Sequence, residues 1–166
     1  LISTAPEPGV SGQAAFEGGT YDTYTESALF NGGTDRGGFV GSVARTDSNG
    51  LDAHGDYGNT TASALGSYDV VPETLTVSPI FRMVDAEVAL DQAPGVDEAG
   101  NLVPNQDTPR DHVSGRSSLF GTTVKHQSPS DIESEVKIYA VDNSRRYLFD
   151  FSGFESRSRF EGTSLN

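Results

Sequence analysis

Between Tyr24 and Asp47 the chain reads YTESALFNGGTDRGGFVGSVARTD, two alternating runs around a glycine-rich turn at Asn31–Gly38. On the second arm Phe39, Gly41 and Val43 fall on one side, and Val40, Ser42, Ala44 and Thr46 on the other. Successive side chains of a strand point to opposite faces, so a period of two predicts a strand where a period near 3.6 would predict a helix. The turn offers glycines for positive φ, and Asn and Asp that can hydrogen-bond their own backbone. This stretch therefore predicts an antiparallel hairpin.

Composition narrows what such hairpins can build. The 166 residues hold only 34 % hydrophobic side chains, with 19 glycines and a formal charge of −13. A chain this polar has little apolar surface to offset its ordering entropy, a balance that suits disorder. Nine Phe and six Tyr spaced inside alternating segments argue for ordered strands instead. Phosphate binding needs clustered Lys and Arg, and Arg145-Arg146 with Arg157 and Arg159 are too few, so nucleic acid is not an expected partner. With no cysteine, disulfides and thiolate metal sites are excluded. No apolar run approaches the roughly 20 residues of a helical span. A transmembrane barrel needs only about 10 alternating residues per strand, and its polar lumen keeps mean hydropathy low. The sequence begins at Leu1 without an initiator Met, as a mature segment or a piece of something longer would.

In chain order, Leu1–Thr4 is β-prone and ends at Ala5-Pro6-Glu7-Pro8-Gly9, where two prolines interrupt any ladder. Val10–Glu17 alternates, with Val10, Gly12, Ala14 and Phe16 on one face. Gly18–Asp22 turns into Thr23–Phe30, the first arm of the hairpin. Ser48–Asn59 is a polar loop, and strands follow at Thr60–Asp69 and Thr74–Glu87. On the latter Leu75, Val77, Pro79, Phe81 and Met83 share a face, opposite Thr76, Ser78, Arg82 and Val84; Pro79 there demands an edge, a bulge or another break in donor pairing. Leu90–Asp111 is a long, acidic loop, and loops of that length are usually functional. Val113–His126 and Ile132–Val141 are further strands, with a loop at Asp142–Asp150 and a last strand at Phe154–Leu165.

Short connections after Phe30, Val70 and Gln127 alternate with longer ones after Asp47, Glu87 and Val141. An up-and-down meander with its long loops at one end has that rhythm, as outer-membrane barrels do with short periplasmic turns and long extracellular loops. The expected fold is all-β: an antiparallel up-and-down meander of about seven or eight strands, part of a transmembrane β-barrel and not closed by itself. Leu75, Val77, Phe81, Ile132, Val136 and Ile138 are expected to face lipid. Arg82, Glu133, Glu135 and Lys137 are expected to face the lumen. A β-sandwich would bury the same apolar face on a second sheet of its own.

No catalytic constellation stands out, and an enzyme is not expected. His54, His112 and His126 have no serine framed as a nucleophile elbow. Gly32-Gly33 and Gly37-Gly38 lack the lysine and the strand–helix context of a phosphate loop, and read as turn glycines. Ligand contacts are expected in the long loops, at Asp52, His54, Asp56 and Tyr57 in one, and at Asp91, Asp97, Glu98 and Asp107 in the other. Asp47, Asp52 and Asp56 are oxygen donors of the kind calcium prefers, without the spacing of an EF-hand; solvated carboxylates are the plainer reading, and no cofactor is expected.

Laid out in this way, the sequence resembles the barrel domain of a TonB-dependent outer-membrane receptor, beginning where its plug ends. Leu1-Ile2-Ser3-Thr4 looks like the close of the last plug strand. Gly18-Gly19-Thr20-Tyr21-Asp22-Thr23-Tyr24 is similar to the motif joining the first two barrel strands. Asn31-Gly32-Gly33-Thr34-Asp35, Phe39–Asp47 with Gly50, Asn59-Thr60-Thr61 and Leu75-Thr76-Val77 continue the likeness. The resemblance implies residues 1–9 as plug end and linker, and 10–166 as the N-terminal part of a plugged barrel of about 22 strands. It implies residence in the bacterial outer membrane, with membrane lipid as a partner, and energised uptake of a scarce nutrient such as a ferric siderophore, haem or cobalamin. The plug itself, and TonB acting through it, would be partners outside this chain. A passive porin-like or adhesin barrel, and a secreted β-sandwich binding module, are the alternatives. Seven or eight strands alone leave two raw sheet edges, and are expected to carry no transport.

Overall fold

The computed structural model describes residues 6, 8–50, 55–89, 95–96, 99, 102–103, 111–130, 132–149 and 154–165. It contains strands β1 (Gly9–Gly18), β2 (Tyr24–Thr34), β3 (Gly37–Ser48), β4 (Tyr57–Val71) and β5 (Leu75–Ala89). After these come β6 (Gly95–Val96), β7 (Leu102–Val103), β8 (His112–Gln127), β9 (Glu133–Phe149) and β10 (Phe154–Leu165). No helix occurs among the described residues. Eight strands form one antiparallel sheet in the order β1-β2-β3-β4-β5-β8-β9-β10, and β6 pairs with β7 as a separate small hairpin. Every strand of the large sheet pairs with its nearest long neighbours in sequence, an up-and-down meander whose outermost strands are β1 and β10. The sheet is open, as a segment of a larger barrel would be.

The strands run further than hydropathy indicates. The turn expected at Asn31–Gly38 shrinks to Asp35-Arg36, with Gly33 paired to Gly38 and Thr34 to Gly37. Gly32, Gly33 and Gly38 are therefore strand glycines, a correction with a steric reason. A Cβ on Gly32 would stand 3.4 Å from the rings of both Phe30 and Phe39, so the glycine is the slot into which the aromatics lean. Gly37 alone of the four has a positive φ, at +150°. The loop expected at Asp142–Asp150 is strand through Phe149, since β9 pairs with β10 along that length. Connections 35–36, 72–74 and 128–132 close one end; 19–23, 49–56, 90–111 and 150–153 close the other. The first end is uniformly short. Two of the four at the other end are short as well, so the sorting by length is less complete than expected.

Pro79 lies inside the sheet, between β4 and β8. The β4–β5 ladder runs from Leu65↔Ile80 to Tyr68↔Val77 with no pair between them, so the ladder lapses at Gly66 and Pro79 as a missing N–H requires. Pro79 Cγ would be 3.0 Å from a Cβ on Gly66, so only glycine gives the ring room.

Cross-strand partners share a face, so the register sorts the side chains into two sides. On one, here the aromatic face, the row Gly12, Phe30, Gly41, Ala64, Phe81, Phe120 and Ala140 crosses seven strands. Rows of Val10, Phe39 and Ile138, of Tyr68, Val77, Val124 and Val136, and of Ala14, Ala28, Val43, Ala62 and Met83 complete an apolar band. Phe81 and Phe120 pack with ring centroids 4.8 Å apart, and Phe30 and Phe39 at 5.3 Å. The other face carries hydroxyls bonded across strands, Thr25 to Thr46 and Ser42 to Ser63 at 3.1 Å each. Arg82, Glu133, Glu135 and Lys137 share that hydroxyl face, as expected of one side of the sheet, and Lys125 joins them. Leu75 and Val77, Phe81, Val136 and Ile138 share the aromatic face, while Ile132 precedes β9 and is exposed.

This sheet has no second layer among the described residues. Among the described residues Val40 is the one buried hydrophobic side chain, on the hydroxyl face beside Leu65 and Asn31. The chain exposes 11327 Å², against about 7,900 Å² for a compact monomer of its mass. Phe39, Phe120 and Ile138 are each more than half exposed. A sandwich would bury this face within the chain, and these strands do not.

Candidate functional site

Above the apolar band, toward the end with the long connections, the aromatic face changes character within one row. Phe16 is followed across the sheet by Glu26, Arg45, Thr60, Asp85, Arg116, Ser144 and Arg159. The next row adds Tyr24, Asp47, Glu87, Ser114, Arg146 and Arg157. β4, β5, β8 and β9 run 15 to 17 residues, and their ends beyond the apolar band carry this charged rim.

Ion pairs knit the rim. Arg45 donates to both oxygens of Asp47, at 2.6 and 2.9 Å, along one strand. That hydrogen bond, in the rim beyond the apolar band, holds the Asp47 carboxyl below the usual carboxylate range. Arg116 donates to Asp85 across β5–β8 at 2.8 Å, and Arg159 reaches Asp142 at 3.1 Å and Glu161 at 2.7 Å.

Between the ends of β3, β4, β5 and β8 lies a polar cleft of about 490 Å³. Asp47, Asp56 and Tyr57, three residues of the expected ligand and cation set, line it together. Asp52, His54, Asp91, Asp97, Glu98 and Asp107 lie outside the described residues. Both Asp47 oxygens accept from Arg45, which leaves its remaining lone pairs to any ligand. Among the described residues no three His, Asp or Glu side chains are grouped to hold a metal. Asp56 contributes its carbonyl, accepting from the Ala89 N–H at 2.8 Å and so tying the 49–56 connection to the end of β5.

The cleft also gathers residues outside the expected ligand set: Asp85, Glu87, the buried Asp111, and His112, whose Nε2 is 3.9 Å from Glu87. Asn59 adds a buried Oδ1 that meets no hydrogen-bond donor among the described residues. Register alone brings these groups together, and a single sequence does not reveal register. Beside the cleft the β1–β2 turn is hydrogen-bonded within itself and to the next connection. Thr23 N–H donates to Thr20 O at 3.2 Å across Tyr21 (φ +61°) and Asp22 (φ +50°), the backbone of a type I′ turn. Asn49 fastens that turn to the next connection, its N–H to Tyr21 O at 3.1 Å and its Nδ2 to Asp22 at 3.0 Å. Positive φ at a tyrosine is costly and persists only where neighbours enforce it. Chemically the cleft can offer carboxylates, hydroxyls and an imidazole to a polar ligand.

No protein-family model, no curated protein and no solved structure matches this chain.

Proposed function

We propose that this chain is the N-terminal part of the barrel of an outer-membrane TonB-dependent receptor, which takes up a scarce nutrient with energy supplied through TonB. The observation that carries the reading is the banded aromatic face. An apolar belt crosses the sheet, bounded at one end by charge, with no protein layer over it among the described residues. Leu75–Met83 on β5 runs about 27 Å along the strand, and at the usual tilt covers most of a lipid band about 25 Å tall. Hydroxyls and charges on the other face suit a wet or plugged lumen. The family within the barrel class rests on the sequence resemblance at Gly18–Tyr24, Asn31–Asp47 and Asn59–Thr61.

In this reading the polar cleft lies at the extracellular end, and Asp56, Tyr57, Asp111 and His112 contribute to ligand capture. The membrane supplies the apolar surroundings that the chain does not. The test is uptake by the full-length protein in an outer membrane, with labelled ferric siderophores, haem and cobalamin, before and after TonB is removed. Accumulation that stops without TonB is the expected result. Flux that is indifferent to TonB would replace the proposal with a passive barrel.

A further inference from the structure

The hydroxyl face carries its cations in two different ways. Toward the short connections, Lys137 pairs with Glu135 at 2.6 Å and Lys125 meets Glu133 at 4.0 Å. Toward the long connections, Arg82 of β5 and Arg145 of β9 are exposed and pair with no carboxylate among the described residues. Register sets three rows of this wall between β5 and β10. The first holds Arg82, Leu119 and Val141, the next Val84, Asn143 and Phe160, and the last Gly115, Arg145 and Ser158. No Asp or Glu stands in these rows on those strands, in a chain of formal charge −13. Asp85 and Glu87 of the cleft lie on the opposite face. Phe160 is 64 % exposed and Val84 43 %, so the wall is apolar as well as cationic. Glycines give two of these side chains room. Arg145 Cγ stands 3.6 Å from the position of a Cβ on Gly115, and the Phe160 ring 3.2 Å from that of a Cβ on Gly162.

We propose that this wall holds the transported ligand, and that the ligand is an organic anion carrying aromatic rings, as a ferric catecholate or a haem does. The inference rests on the receptor reading, which makes the hydroxyl face luminal and the long connections its entrance, and it names the substrate class. Charge complementarity selects this occupant. Guanidinium forks take carboxylate or phenolate oxygens in pairs, and the Phe160 ring offers a stacking surface. Arg82 and Arg145 are two strands and four residues apart, about 16 Å along the wall, so two anionic edges of one ligand meet one arginine each. Val84, Leu119 and Val141 lie between them under its apolar body. A neutral ligand of the same size would gain only the apolar part of these contacts.

The test uses full-length protein in outer membranes, and measures equilibrium binding of a ferric tris-catecholate, of haem and of a neutral ferric trihydroxamate. The expected result is preference for one of the two anions, with affinity falling at least about tenfold in Arg145→Gln and in Arg82→Gln. Arg145→Lys keeps the charge and should lose less than Arg145→Gln. Lys125→Gln, on the same face beside Glu133, should leave affinity unchanged. Ser117→Cys and Ser158→Cys, in the rows of Phe160 and Arg145, give a readout independent of affinity: a water-soluble maleimide labels both, and the bound anion protects both. Protection before ligand is added would show the plug covering this wall, and would overturn the proposal. Preference for the hydroxamate would overturn it too, as would anion affinity unchanged in both glutamine variants. Uptake tells which claim has failed. TonB-dependent accumulation of the hydroxamate alone sinks the anion site and leaves the receptor standing. Flux indifferent to TonB, with anion binding still lost in the glutamine variants, keeps the wall and sinks the receptor.

Discussion

The Tyr139 ring occupies the space that a Cβ on Gly121, its direct partner on the neighbouring strand, would fill. Ile80 Cγ2 stands 3.0 Å from that same Cβ position. A glycine inside a strand normally weakens it; here it lets an aromatic ring seat against the backbone on the hydroxyl face. Gly121→Val is expected to destabilise by about 1–3 kcal/mol, the usual consequence of overpacking. Gly115→Ala, where the nearest atoms stand at 3.6 Å, should change stability by less than about 1 kcal/mol. Denaturant unfolding in detergent compares the two.

Neighbouring residues on β4 probe the two faces. Ala64 sits mid-band beside Phe81, and Ser63 sits on the hydroxyl face bonded to Ser42 at 3.1 Å. In the proposed barrel Ala64→Arg puts a charge against the middle of the bilayer, at a cost of about 2–4 kcal/mol. Ser63→Arg faces the lumen and gives up one exchangeable hydroxyl bond, a change of about 1 kcal/mol. Equilibrium folding into phospholipid vesicles should rank them in that order; equal effects would argue against lipid on the aromatic face.

The tight end of the sheet rests on backbone geometry at two turns. Gly37 has φ +150°, and a Cβ there would drive into the Ser67 carbonyl, so Gly37→Ala should be strongly destabilising. At Val71-Pro72-Glu73-Thr74 the Thr74 N–H donates to Val71 O at 3.0 Å, with Glu73 at φ +59°. Proline followed by a left-handed residue is a type II turn, which prefers glycine in Glu73's place. Glu73→Gly is expected to stabilise by about 0.5–1 kcal/mol. Thermal or urea unfolding of the two variants should move in opposite directions.

Much of this fold was legible because the apolar band writes itself into the sequence. Leu75, Val77, Phe81 and Met83 alternate with Thr76, Ser78 and Arg82 where one side is apolar and the other polar. Legibility ended where the band ended. From Asp142 to Arg146 both faces of β9 are polar, so alternation of hydropathy vanishes although the strand continues. The glycines at 32, 33 and 38 misled for a related reason: they serve neighbouring rings and close backbones, and in sequence they look like a turn. Pro79 announced the gap in its ladder because a missing N–H has one consequence wherever it lies. The cleft was half legible. Asp47, Asp56 and Tyr57 stood out by loop position, whereas Glu87, Asp111 and His112 join them only through register.

In the proposed barrel the aromatic face meets lipid, and a cysteine scan of β5 measures that directly. The chain has no native cysteine, so each introduced thiol reports alone. Single cysteines from 76 to 83, in full-length protein in the outer membrane, would be exposed to a water-soluble maleimide and to a lipid-soluble one. The expected result is a period of two: 77, 79, 81 and 83 react with the lipid-soluble reagent, and 76, 78, 80 and 82 with the aqueous one or not at all. Uniform aqueous labelling of 77, 79, 81 and 83 would contradict it.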